Sequence, residues 1–177
     1  MGALSRPALV VLGGLFALTS LSCTDPVLDD QIEALGPETG NPGPTHRPGQ
    51  PCVLCHSQLG PASDSVFLLA GTVYDSPTRI TPLEGVEVLV VDAYGTQFRK
   101  LTNSAGNFYI ASAEGGGEIA FPVRVHIARG GIERPMLSHI GREPSCAGCH
   151  YDPPNAGPGK VHYKAFQAVG HVYLNTQ

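Results

Sequence analysis

Between residues 66 and 137 apolar and polar side chains alternate in short runs broken by Gly, Asn, Asp and Pro. The runs are "VFLLAGTVYD" (66–75), "VEVLVVDA" (86–93), "TQFRKLT" (96–102), "NFYIAS" (107–112), "IAFPVRVHIA" (119–128) and "GIERPML" (131–137). Six short strands at this spacing predict a chain that is mainly β, a single small antiparallel β-sandwich. In the fifth run Val123, Val125 and Ile127 fall on one face and Arg124 and His126 on the other, so His126 reads as a surface residue. Alternation weakens over 86–93, which predicts a central strand. The expected core is Val66, Leu68, Val86, Val88, Phe108, Ile110, Val123 and Val125, each contributing about 1.5–3 kcal/mol on burial.

The first 22 residues have a different pattern. One cation, Arg6, precedes an apolar run from Ala8 to Leu18, and small residues follow at Ser20 and Ser22 before Cys23. This is the layout of a secretory signal, with an apolar core too short for a permanent membrane span. Cys23 directly after a small residue predicts a lipoprotein acylated on that thiol, and so a membrane contact through a lipid anchor. Leucine usually stands three residues before such a cysteine; Ser20 stands there instead, which ordinary signal peptidase also accepts. The expected location is the periplasm or cell surface. Residues 23–51 read as an acidic, Pro/Gly-rich tether: Asp25, Asp29, Asp30 and Glu33 lead into "GPETGNPGPTHRPGQP". The 177-residue chain has a net charge of −4, and removing residues 1–22 with Arg6 takes it to −5. With no basic stripe to neutralise phosphates, nucleic acid is not an expected partner.

The chain has five cysteines, and four of them form two copies of one motif: "CVLCH" (52–56) and "CAGCH" (146–150). C-x-x-C-H is the attachment signature of c-type haem. Two thiols add across the two vinyl groups of the porphyrin, and the adjacent histidine presents its imidazole to the iron. The expected cofactors are therefore two haem c groups. Cys52, Cys55, Cys146 and Cys149 would hold them covalently, with His56 and His150 as proximal ligands. Other uses of the same cysteines are a four-thiolate zinc site, which leaves both histidines unexplained, and two local disulfides closing very small loops. A thioredoxin-like role needs a βαβ context, which the pattern lacks. The sequence thus divides into a signal segment (1–22), the tether (23–51), a first attachment segment (52–65), the sandwich (66–137), and a second attachment segment with a tail (138–177).

Residues 68–130, through "AGTVYD", "PLEGVEVLVVDAYG" and "LTNSAGNFYI", resemble the carboxypeptidase regulatory-like, prealbumin-like β-sandwich. The wider arrangement resembles a group of secreted bacterial proteins in which such a sandwich is bracketed by two C-x-x-C-H motifs. That group's G-x-E-R-x-M pattern is matched by Gly131, Glu133, Arg134 and Met136, and its P-G-[RK]-[IV] pattern by Pro158, Gly159, Lys160 and Val161. The segment "HYKAFQAVGHVYLNTQ" extends past the group's usual end. The resemblance implies a carboxypeptidase regulatory-like sandwich flanked by irregular haem-attachment segments, and names no pathway.

Distal iron ligands would come from the remaining histidines or from methionine. Met136 and His139 lead, followed by His46, His162 and His171. His46 lies six residues before Cys52 and His139 seven before Cys146, a rough internal echo. No phosphate loop, H-E-x-x-H or nucleophile elbow is present, so no catalytic residues are expected. Peroxidase chemistry would need a haem with an open sixth position. Two functions compete: an envelope electron-transfer protein with an unidentified redox partner, and a lipid-anchored binding or adhesion module whose cysteine pairs are structural. An even count of reversing strands further predicts that both motifs meet at one end of the sandwich.

Overall fold

The computed structural model describes residues 25–38, 40–77, 79–114, 116–150 and 170–175. The signal segment, Cys23, Pro158–Val161 and His162 lie outside the described residues. The fold is mainly β. Its strands are β1 (Phe67–Ser76), β2 (Arg79–Pro82), β3 (Glu87–Val91), β4 (Gln97–Leu101), β5 (Asn107–Ala111), β6 (Arg124–Arg129), β7 (Ile132–Pro135) and β8 (Val172–Tyr173). One sheet runs β2-β1-β5 with β8 added to β1; the other runs β4-β3-β6-β7. As the weak alternation predicts, β3 is central, flanked by β4 and β6. Pairing is antiparallel throughout except for β8, which joins β1 in parallel at Val73–Val172 and Tyr74–Tyr173.

The two inner faces form the core. Leu69, Val73, Phe108 and Ile110 meet Val86, Val88, Val90, Val123, Val125 and Ile127. Six of the eight expected core residues are buried, but Val66 and Leu68 are only half-buried, and Leu69 takes the inward place. The cause is local. The β1–β5 register slips between Phe67 and Leu69, which shifts the phase of β1 by one and turns Leu69, rather than Leu68, inward.

Two further expectations are corrected. The segment 23–51 is not an extended tether over its described residues. Asp25 caps a helix, α1 (Pro26–Ala34), accepting from the amides of Val27 and Leu28 at 3.0 and 3.2 Å. Residues 43–50 then form a strap across the outer face of β1 and β5. Gly49 N donates to Thr72 Oγ1 (2.8 Å), and Asn107 Nδ2 donates to His46 O (3.0 Å). Thr72 in turn donates to Asn107 Oδ1 at 2.7 Å. Polar side chains on the sheet satisfy a backbone that has no ladder of its own. The strand count also changes, because "RITP" forms β2 and seven strands separate the motifs instead of six. The motifs still meet, but by a different route. After β7 the chain bridges Val123 at Ile140, then Ala70 at Ser145, and so crosses back to β1.

Candidate functional site

The first motif folds as a single helical turn, α2 (Cys52–Cys55), in which His56 N donates to Cys52 O at 2.9 Å. Spacing of i, i+3 puts both sulfurs on one side of that turn. His56 donates through Nδ1 to the Ser65 carbonyl at 2.8 Å, while its ring stacks on Phe67 (centres 4.0 Å apart), which stacks on Tyr109 (4.4 Å). The second motif repeats this geometry. A 3-10 turn spans Cys146–Gly148, His150 N donates to Cys146 O at 2.7 Å, and His150 Nδ1 donates to the Gly170 carbonyl at 3.0 Å.

These two carbonyl contacts decide the tautomer. A carbonyl only accepts, so each Nδ1 carries a proton, and in the neutral ring it is then Nε2 that presents the lone pair with which imidazole binds a metal. Metal-ligating histidines are normally oriented through their other nitrogen in this way.

Both motifs dock on β1. Ala70 pairs with Tyr109 of β5 on one side and bridges Ser145 on the other, where its amide donates to Pro144 O at 3.0 Å. Buried Ser145 accepts the amide of Val53 through Oγ at 3.1 Å, which ties the start of one motif to the start of the other. Cys146 lies so close to β1 that a Cβ on Gly71 would fall 2.6 Å from its Sγ. Only glycine permits that approach.

Each motif opens onto its own groove. The first, about 720 Å³, lies over β1 and β5 and is lined by Cys52, His56, His46, Phe67 and Tyr109. The second, about 430 Å³, lies beside β6 and β7 and is lined by Cys146, His150, Met136, His171, Arg134 and Tyr173. Phe108 lines both. The volumes are those of small-molecule and cofactor sites.

Electrostatics favour neutral groups at the motifs. Burial pushes the Cys52 thiol up to about 11 and the Cys146 thiol up to about 12. Burial also raises Cys55 and, with His171 nearby, lowers His150 against the opposing pull of the Gly170 carbonyl. None of the four motif cysteines is in a disulfide, and among the described residues no three His, Cys, Asp or Glu side chains converge on one metal-sized position. Two buried side-chain nitrogens among the described residues lack a hydrogen-bond partner: His46 Nδ1 in the first groove and Arg134 Nη1 in the second. Arg134 rests on the Tyr173 ring, 4.4 Å from its centre. A buried guanidinium nitrogen without an acceptor is costly, and an anion beside it would remove that cost. One thiol and an oriented imidazole line each groove, Cys55 and Cys149 line neither, and the second groove adds a guanidinium nitrogen without a partner; this donor set fits a haem with its carboxylate side chains.

Of the expected distal ligands, His46 lines the first groove, and Met136 and His171 line the second. His139 is exposed and lines neither groove. His126 faces away from the core, 3.6 Å from Glu133. Arg134 was visible in the sequence only through its place in the G-x-E-R-x-M pattern, and nothing there marked Gly71, Ser65 or Gly170 as supports of the motifs.

Comparison with protein-family models, curated proteins and solved structures gives no match. Among the described residues no helix is long and apolar enough to cross a membrane.

Proposed function

We propose that this protein is an envelope electron-transfer protein carrying two covalent c-type haems on a carboxypeptidase regulatory-like sandwich. The observation that carries the reading is the matched pair of histidines. His56 and His150 each follow a C-x-x-C turn, each donate Nδ1 to a backbone carbonyl, and each line a separate groove.

Haem c bound at these motifs supplies one-electron chemistry. The chain's own residues fix where that chemistry takes place. Cys52 and Cys55 anchor the first site, and Cys146 and Cys149 the second. Ser65 and Gly170 hold the imidazoles, and Arg134 offers a cation to a carboxylate in the second groove. Phe67, Tyr109 and Phe108 line the first groove with rings. The hydrogen bond from Val53 to Ser145 and the shared wall at Phe108 keep the two sites adjacent, the arrangement a relay to an external redox partner requires. Export and acylation at Cys23 would hold this body at a membrane surface.

A zinc site or disulfides at the cysteine pairs would leave the histidine that follows each pair without a role, which weighs against the structural-cysteine module. Expression in a host with cytochrome c maturation tests the proposal. A red protein whose haem stain survives denaturing electrophoresis supports it, and a colourless one sends the reading back to the binding module.

A further inference from the structure

We infer that His46 is the distal iron ligand of the first site, which makes that site six-coordinate through two imidazoles of this chain. The inference rests on the haem reading of Cys52, Cys55 and His56 and adds the residue opposite His56.

His46 and His56 line the same groove, with ring centres 5.8 Å apart and planes inclined at 56°. Two imidazoles bound on opposite sides of one metal ion, each nitrogen about 2 Å from it, have centres about 6 Å apart. Among the described residues the buried Nδ1 of the His46 ring makes no hydrogen bond. Its Nδ1 lies 3.4 Å from Glu38 Oε2, an ion-pair distance without hydrogen-bond geometry. Glu38 is itself held by Arg47, whose Nε donates to Oε2 at 2.9 Å. The Glu38 carboxylate thus stands beside one imidazole nitrogen, on the side where the supporting partner of a histidine ligand stands.

The backbone that carries His46 is fixed as well. Asn107, buried on β5, donates Nδ2 to His46 O at 3.0 Å, and Asn103 donates Nδ2 to Pro44 O at 2.6 Å. His46 N donates to Gly43 O at 3.1 Å, and Arg47 adopts a left-handed φ of 46° that turns the strap back toward β1. A solvated linker histidine needs none of these ties. They hold the imidazole over the groove, as a ligand must be held.

The test uses the haem-loaded full chain, read by ferric EPR and absorption, covalent haem content, and the equivalents of carbon monoxide bound after reduction. His46→Ala is expected to keep two covalent haems while one changes from low to high spin. Added imidazole should restore the low-spin signal, and the variant should bind one more equivalent of carbon monoxide than wild type. His46→Met, which keeps a ligating side chain, is expected to stay low-spin with a raised potential at one haem. His139→Ala should change nothing. Two covalent haems in His46→Ala with unaltered spin state and carbon monoxide stoichiometry would overturn the assignment. A wild-type chain that carries no haem would overturn both the assignment and the reading beneath it.

Discussion

Gly71→Ala should dislodge the second motif from β1. The new Cβ would lie 2.6 Å from Cys146 Sγ, 2.8 Å from Cys146 Cβ and 2.9 Å from Phe108 Cε1. Favourable carbon contacts begin near 3.5 Å, so each neighbour must retreat by more than half an ångström. Neither can do so freely, because Cys146 is tied through Ser145 to Ala70 and Val53, and Phe108 is a core side chain. Overpacking of this kind costs about 1–3 kcal/mol. The reduced freedom of the unfolded chain returns about 0.4–1 kcal/mol. The net loss should be about 1–2 kcal/mol, a fall of roughly 3–8 °C in midpoint for a domain of this size. Gly141→Ala is the control, since a Cβ there meets nothing within 4 Å and the backbone is not left-handed. Urea unfolding and the rate of Cys146 alkylation in the haem-free chain measure the two effects together. If Gly71→Ala matches the control in stability and Cys146 stays protected, the second motif does not dock as described.

Asn107→Ala removes the donor to His46 O and the acceptor of Thr72, and should release the strap at a cost of about 1–3 kcal/mol, with hydrogen exchange rising over residues 43–50 while the core amides stay protected. The haem-free fold should weaken in alkali. Cys52 and Cys146 are raised above the ordinary thiol value of 9.0, so their contribution is complete below about pH 9 and is lost as pH rises through about 11 and 12. The slope is at most about 1.4 kcal/mol per pH unit for each thiol. Urea midpoints at about pH 8 and pH 10.5 measure it, and the dependence should vanish once thioethers replace the thiols. Arg134→Gln should cost the haem-free chain only about 0.5–1 kcal/mol, the cation–π contact with Tyr173, yet lower the potential of one haem in the loaded protein.

Much of the fold was legible because the sandwich obeys a period of two. Val86 and Val88 flank Glu87, Val123 and Val125 flank Arg124, and all four valines are buried as read. β1 was misphased by one residue because a register slip at Phe67–Leu69 leaves no mark in hydrophobicity, and β1 is covered on both faces from Leu69 to Tyr74. β2 was hidden because "RITP" has no buried face to declare. The Pro/Gly-rich strap looked solvated since its attachment is made by Thr72 and Asn107, polar residues distant in sequence. Of the site, the two motifs were plain from cysteine spacing alone. Their surroundings were not, because Gly71 and the Ser65 and Gly170 carbonyls act through close approach and backbone geometry, which depend on the folded path rather than on residue type.

The most direct test of the central claim is peptide mass spectrometry on the denatured, alkylated protein from a host with cytochrome c maturation. Peptides containing Cys52–His56 and Cys146–His150 should each carry one porphyrin through two thioethers, with no cysteine of either motif left to alkylate. Both peptides recovered without porphyrin, with all four thiols alkylated or joined in disulfides, would contradict the account.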